Sequence, residues 1–345
     1  MNKRQRVFVI AEAGVNHNGK LSLALKLVDA ASRAGADAVK FQDFKAEEVV
    51  TSAGKMAGYQ KRNIGQEKSQ LEMLRAFELT PKEWRKLAAY CREKKITFLS
   101  TPHGGFASVH RVHKLGVSAF KFGSGDLTNI PLLEYAARFK RPMIISTGMA
   151  VMKEVERAVK AIRKAGNNKI TVLQCTTDYP SKPEEANLRV MNVFRKKLKT
   201  AVGYSDHTSD IFASVLASCL GAEMIEKHLT LDKNLPGPDH KASLEPDKFQ
   251  EMVSLIRAIP AFMGSAVKKP SKSELAYRPL VRKSIVAARD IKKGEKLSRE
   301  NLAIKRPGTG IRPEYFYKIM GAEALRNIET DSPVKLSDIW PRKKF

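Results

Sequence analysis

The chain has 345 residues, 43% of them hydrophobic, and carries 62 Lys and Arg against 36 Asp and Glu, a formal net charge of +26. That length exceeds one average domain and falls short of three, and the apolar share excludes a disordered chain. No apolar run approaches the ~20 residues needed to cross a bilayer, so no membrane partner is expected.

Residues 1–6 are basic, but the apolar run at 7–13 is short and leads into Glu12 and Asn16-His17-Asn18-Gly19. It reads as a first strand and not as a signal peptide. Further strand candidates follow at 37–42, 97–102, 119–124, 142–147, 170–176, 201–205 and 224–229, each short, apolar and ended by polar or Gly residues. Between them, segments such as 21–33, 81–94, 152–164 and 211–220 repeat apolar residues every three or four positions, as amphipathic helices do. Thr80-Pro81-Lys82-Glu83 is a helix start with a cap residue, Pro in the first turn and an acid three residues on. Eight alternating units predict a (β/α)8 TIM barrel over residues 1–265. A doubly wound open sheet is the alternative, but no Gly-x-Gly-x-x-Gly follows any strand. One long excursion, residues 44–70, interrupts the pattern, and loops of that length are commonly functional or mobile.

Beyond about Gly264 the pattern changes. Residues 266–280 read as a linker, polar and lysine-rich around Pro270. Residues 281–345 hold short β-like runs and predict a small, mostly β domain with little core of its own, which needs something to dock on. The charge surplus is spread along the chain, with 20 basic against 9 acidic residues in 266–345. No nucleic-acid-binding signature accompanies it, so a nucleic-acid partner is not expected. Cys91, Cys175 and Cys219 share no metal-type spacing and point to a reduced, cytoplasmic protein. Cys91 and Cys219 fall in helical patterns and are expected in the core.

In a parallel barrel the site collects at the C-terminal ends of the strands. Here nearly every strand ends in polar groups: Glu12, Lys40 and Gln42, Thr101, Lys121 with Ser124 and Asp126, Ser146 and Thr147, Thr176 and Thr177 with Tyr179, Ser205 with Asp206 and His207, and Glu226 with His228. Lys40 and Gln42 share a strand face, as do Glu226 and His228. Since buried strands are normally apolar, these groups are expected to line a polar cavity. The alternative is a structural network in which the lysines pair with Glu12, Asp126 or Glu226. His207 and His228, one strand–helix unit apart, form a candidate metal pair, with Asp206 and Glu226 as groups that orient the rings. Lys40 and Lys121, with Ser124, Ser205 and backbone N–H groups, could hold a phosphate and a carboxylate. His240, in a loop, is expected near the site. Cys175 has no His beside it in the local sequence to make it a nucleophile.

The motifs Ile10-Ala11-Glu12-Ala13-Gly14-Val15-Asn16-His17-Asn18-Gly19, Ser124-Gly125-Asp126-Leu127-Thr128-Asn129, Tyr204-Ser205-Asp206-His207-Thr208, Glu226-Lys227-His228 and Gly237-Pro238-Asp239-His240-Lys241 resemble the sialic acid synthase (N-acetylneuraminate synthase) family, in order and across nearly the whole chain. The tail, with Arg282-Lys283-Ser284-Ile285 and Lys305-Arg306-Pro307-Gly308, is similar to its antifreeze-like (SAF) domain. The resemblance implies condensation of phosphoenolpyruvate with N-acetylmannosamine, or a related N-acylated aminosugar, to N-acetylneuraminate or a related nonulosonic acid and phosphate. A legionaminate- or pseudaminate-type product is the alternative.

It further implies a divalent metal on His207 and His228, typically manganese, with magnesium or cobalt as substitutes. Phosphoenolpyruvate would be held by Lys121, Ser124, Ser205 and Thr101, with the sugar or its protons handled by Glu12, Lys40, Gln42, Asp126, Tyr179 and Asp239; Thr177, facing the sugar, and Glu226 would also bind substrate. A domain-swapped homodimer is implied, in which Arg306 of one tail reaches the sugar in the partner's barrel. Thr177, Asp126 and Leu280 depart from residues frequent in the family, and they bear on which sugar is used. Other phosphoenolpyruvate aldol synthases lack such a tail. A non-catalytic basic surface-assembly protein with a retained barrel would not need Glu12, His207, His228 and both lysines together.

Overall fold

The computed structural model describes residues 6–56, 58–64 and 69–340. The basic start at 1–5, part of the 44–70 excursion and the last five residues of the tail lie outside these. The chain divides into two compact units, Met1–Gly264 and Ser265–Phe345.

The first unit is a closed parallel barrel with strands in chain order. They are β1 (Phe8–Gly14), β2 (Ala38–Asp43), β3 (Thr97–Pro102), β4 (Phe120–Phe122), β5 (Met143–Ser146), β6 (Ile170–Cys175), β7 (Ala201–Asp206) and β8 (Met224–His228). The expected (β/α)8 fold is therefore the observed one, and the open-sheet alternative is excluded. β4 stops earlier than its apolar run because Ser124–Asp126 forms a 3-10 turn.

Alternation along the strands sorts the residues. Ile10, Ala38, Leu99, Ala119, Ile144 and Leu173 point inward and pack as one cluster. Their neighbours Val9, Val39, Phe98, Phe120, Ile145 and Val172 point outward and join the larger core beneath the helices. Two residues beyond each inner one, on the same face, come Glu12, Lys40, Thr101, Lys121, Ser146 and Cys175. The apolar cluster is thus the floor of a polar chamber.

The helices follow the sequence signals closely. In Pro81–Glu93, Thr80 accepts from the Glu83 N–H and the Glu83 carboxylate accepts from the Thr80 N–H at 2.8 Å. Such a cap contributes ~1 kcal/mol. The helix buries Trp84, Leu87, Ala88 and Cys91. The long excursion contains the short helices Ala46–Val49 and Gly58–Ile64, and Gln70–Arg75 follows at its end. Cys219 is exposed, against expectation. It ends Phe212–Cys219, a helix that also exposes Phe212 and Leu216. Among the described residues no helix is long and apolar enough to cross a membrane.

The second unit begins where a linker was expected, yet residues 266–280 are not simply extended. Lys272–Val281 is a helix, capped by Ser271 and Glu274 in a reciprocal box. Beyond it, β9 (Ser284–Ala287) pairs antiparallel with β10 (Leu302–Lys305), and β11 (Glu323–Ala324) with β12 (Ile339–Trp340). The expectation of little core is corrected: twelve buried apolar residues, among them Ile285, Leu302, Ile319 and Val334, form a cluster within this unit.

Gly203 in β7 packs closely against the barrel floor. A Cβ there would lie 2.3 Å from the Met224 carbonyl oxygen and 2.7 Å from Leu173 Cδ2. The backbone oxygen cannot yield, so Gly203→Ala is expected to destabilise the protein by about 1–3 kcal/mol. A lowered urea midpoint of the barrel transition checks this, and an unchanged midpoint contradicts it.

Candidate active site

Strand register builds the site. Glu12 on β1 lies level with Lys40 on β2 and with His228 on β8. Gln42 is level with Thr101, Cys175 with Ser205, and Ser205 with Glu226. All of these face one cavity.

Four buried charges occupy its base. Lys40 Nζ lies 2.7 Å from Glu12 and 3.8 Å from Glu226, and donates to Thr101 Oγ1 at 2.9 Å. Lys121 Nζ lies 3.3 Å from Glu226. Gln42 donates to Glu12 Oε1 and Ser205 to Glu226 Oε1. The two carboxyls are pushed apart. Burial raises Glu12 to about 7, with Lys40 pulling the other way and Glu226 adding to the rise. Burial acts upward on Glu226 too, but Lys121, Lys40 and the Ser205 hydroxyl outweigh it and hold the carboxyl at about 2. Burial depresses the Lys121 ammonium. Lys40 is raised instead, because Glu12 and Glu226 overcome its burial.

Hydroxyls line the β4–β6 side. Ser124 Oγ accepts from the Gly148 N–H at 2.9 Å, and a Cβ at Gly148 would lie 2.0 Å from Thr177 Oγ1. Ser146 Oγ and Thr177 Oγ1 are buried without hydrogen-bond partners among the described residues. On the β7–β8 side the His207 and His228 rings stand 5.5 Å apart, and Tyr179 packs on His207 at 4.0 Å. Asp239 is buried beside them, which raises its carboxyl to about 6.

The two imidazoles suit a metal ion. His207 Nδ1 is 2.6 Å from the Thr176 carbonyl oxygen, which orients the ring; in the neutral ring the proton then sits on Nδ1 and Nε2 carries the lone pair. His228 Nδ1 is buried with no hydrogen-bond partner among the described residues, and burial, then His207, keeps this ring neutral. No group of three or more His, Cys, Asp or Glu among the described residues is arranged around a common ion. Any metal here would take the rest of its shell from water and substrate.

The structure thus brings together Glu12, Lys40, Gln42, Thr101, Lys121, Ser124, Thr177, Tyr179, Ser205, His207, Glu226, His228 and Asp239. Asp126 stands at the rim, with Oδ2 3.7 Å from His103 Nδ1. Arg306 belongs to the second unit and is exposed. His240 follows the cavity-lining Asp239, with its ring buried between Thr230 Oγ1 and Asn18 Oδ1. One expectation is corrected. Asp206 does not orient the His207 ring, because its carboxylate turns outward to Lys227. The sequence reading also missed His103, a cavity-lining imidazole that burial, Lys40 and Lys121 hold down at about 4. Its one signal was its place directly after a strand end. Nor did local sequence show that β7 brings His207 Nδ1 to 3.8 Å from Cys175 Sγ.

Residues 27–268 match the NeuB family, and residues 282–339 match the SAF domain. The chain belongs to the NeuB family. It is 44% identical over 333 residues to the N,N'-diacetyllegionaminic acid synthase of Campylobacter jejuni, covering 96% of this chain and 99% of that one. It is equally identical over 327 residues to the N,N'-diacetyllegionaminic acid synthase of Legionella pneumophila, covering 93% and 91%. Among solved structures, the spore coat polysaccharide biosynthesis protein SpsE of Bacillus subtilis superposes with a TM-score of 0.65 at 37% identity, over 98% of this chain and 96% of that one.

For this NeuB-family chain the raised Glu12 has a measurable consequence. Between pH 4.5 and about 7 the folded protein keeps a proton on Glu12 that the unfolded chain has released. The resulting stabilisation is fully present below 4.5 and is lost as pH rises through 7. Urea midpoints from pH 5 to 8 should therefore fall more steeply in the wild type than in Glu12→Gln. Parallel profiles would contradict the raised carboxyl.

Proposed function

We propose that this chain condenses phosphoenolpyruvate with an N-acylated aminosugar and water, giving a nonulosonic acid and phosphate. The observation that carries this reading is the ladder of Glu12, Lys40, Glu226 and Lys121 beneath two imidazoles in one cavity. A phosphorylated enol acid needs buried cations and hydroxyl donors, and an aldehyde acceptor needs a source of protons and polarisation.

In this reading Lys121, Ser124, Thr101, Thr177 and Ser205 hold phosphoenolpyruvate. Lys40, Gln42, Tyr179, Glu226, Asp239 and the rim residue Asp126 meet the sugar or steady the groups that do. C3 of phosphoenolpyruvate attacks the aldehyde carbon of the open-chain sugar. Glu12, raised to about 7, is partly protonated near neutral pH and gives its proton to the aldehyde oxygen. Water adds at C2, and phosphate leaves by C–O cleavage. His207 and His228 would hold a divalent ion, manganese above all, which supplies Lewis-acid polarisation when bound.

Two observations favour a legionaminate-type sugar over N-acetylmannosamine. The relatives at 44% identity are named as legionaminic acid synthases. The segment between β2 and β3 lines the cavity with Phe44, Val49, Met73, Leu74 and Phe77 beside Gln60 and Gln70, largely apolar surface that suits acetamido and deoxy methyl groups better than a chain of hydroxyls. Phosphate release from phosphoenolpyruvate with a panel of N-acylated aminosugars tests this. Release is expected to be fastest with a 2,4-diacetamido-trideoxyhexose and to stop on chelation, returning with manganese. A preference for N-acetylmannosamine would restore the N-acetylneuraminate product. Full turnover in rigorously metal-free protein would remove the metal from the proposal.

The family resemblance of the tail supports a domain-swapped homodimer in which Arg306 serves the partner's site. Its planar fork can hydrogen-bond an acyl carbonyl while staying charged. His207→Ala and Arg306→Ala should each be nearly inactive alone and should recover part of the activity when allowed to exchange subunits. Mixed dimers, verified by mass spectrometry, that stay inactive would rule out the trans arrangement.

A further inference from the structure

Behind the cavity wall lies an ion pair that the proposed chemistry does not touch. Asp206 and Lys227 are both fully buried. They are direct partners in the β7–β8 register, and each immediately precedes one of the two site imidazoles, His207 and His228. Strand alternation turns both side chains to the outer face while Ser205, Glu226 and His228 face the chamber.

The pair is tied on every side. Lys227 Nζ lies 3.1 Å from Asp206 Oδ2 and donates to the Thr208 carbonyl oxygen at 2.6 Å. Asp206 Oδ1 accepts from both the backbone N–H and the hydroxyl of Thr208 at 2.8 Å. Oδ2 accepts from Ser214 Oγ at 2.6 Å. His207 is therefore flanked by two residues locked to each other and, through Lys227, to the strand that carries His228.

We propose that the Asp206–Lys227 pair is a positioning device that sets the spacing of His207 and His228 for a divalent ion. The inference rests on the reading of these two imidazoles as metal-holding. Three physical points support it. A buried ion pair is rarely the most stable filling of such a space, since well-packed apolar residues often do as well or better. The neighbouring outward positions on the same strands, Val202, Tyr204 and Ile225, do contribute to the main core. What the ion pair adds is direction. Apolar contacts tolerate sliding, whereas a lysine shared between a carboxylate and a carbonyl fixes the strand ends to a fraction of an ångström, the tolerance metal–ligand distances demand. Among the described residues no third His, Cys, Asp or Glu joins His207 and His228 in a metal-holding group, so no further side chain would correct an error in their separation.

Manganese binding to the whole protein, followed by the electron paramagnetic resonance of the free ion, tests this without any turnover. The double variant Asp206→Asn/Lys227→Met removes both charges together, so neither is stranded in the wall. It is expected to melt as a folded protein and to bind manganese about 10- to 100-fold more weakly than the wild type, with altered visible bands for bound cobalt. An affinity equal to the wild type's would overturn the inference, even if the melting temperature falls. Should the double variant not fold, Ser214→Ala removes one bond to Asp206 and leaves the charges in place. Its manganese affinity should still drop several-fold, and no change would count against the proposal. A wild type that binds no manganese would instead overturn the metal reading and this inference with it.

Discussion

Two lysines and two glutamates lie buried side by side at the base of one cavity, and each is tolerable there because the others are present. Lys40 sits between Glu12 and Glu226, and Lys121 completes the set against Glu226. The charges cancel. Removing one partner from such a group typically costs 3–5 kcal/mol, because a buried charge is left alone. The strands that carry these residues must therefore close in one register. A slip by one residue on any strand would bury a charge in the outer core and expose an apolar residue to the chamber.

The same balance explains how one fold provides groups of unlike proton affinity. Glu12 and Glu226 are chemically identical and both buried, yet one is raised to about 7 and the other held at about 2. The difference lies in their neighbours: Glu226 faces both lysines and a hydroxyl, and Glu12 chiefly one lysine. Paired carboxyls driven apart by their surroundings are a recurring way to hold an acid and a permanent anion in one site. An incoming anion must share the lysines with Glu226. The cavity is therefore poised, with its cations held in place and not yet committed to a ligand.

Much of this was legible in the sequence, because period-two alternation and strand ends are local signals. The helix at Pro81–Glu93 announced its cap, and the strand-end residues announced the chamber. What escaped was whatever depended on packing between elements. Asp206 was read as a partner of His207 because the two are adjacent in the chain, yet alternation puts them on opposite faces, the same rule that correctly grouped Lys40 with Gln42. Cys175 and His207 approach across neighbouring strands, a proximity no local motif contains. Cys219 belongs to a helix apolar on several faces, so periodicity could not tell its inside from its outside. The tail's core is assembled from residues scattered over 285–339, too dispersed for any short window to reveal.

The apolar side chains at the mouth of the cavity come almost entirely from one contiguous stretch, the excursion between β2 and β3, whereas the charged base is drawn from several strands. The two parts differ in what they cost to alter. A change at the base disturbs several strands at once, while a change in the excursion is confined to a surface insertion that the barrel does not need for closure. The apolar part of the lining and the charged base are thus written in separable parts of the gene. A lineage can exchange the first by replacing a single segment while inheriting the second intact, and a protein engineer can do the same by grafting.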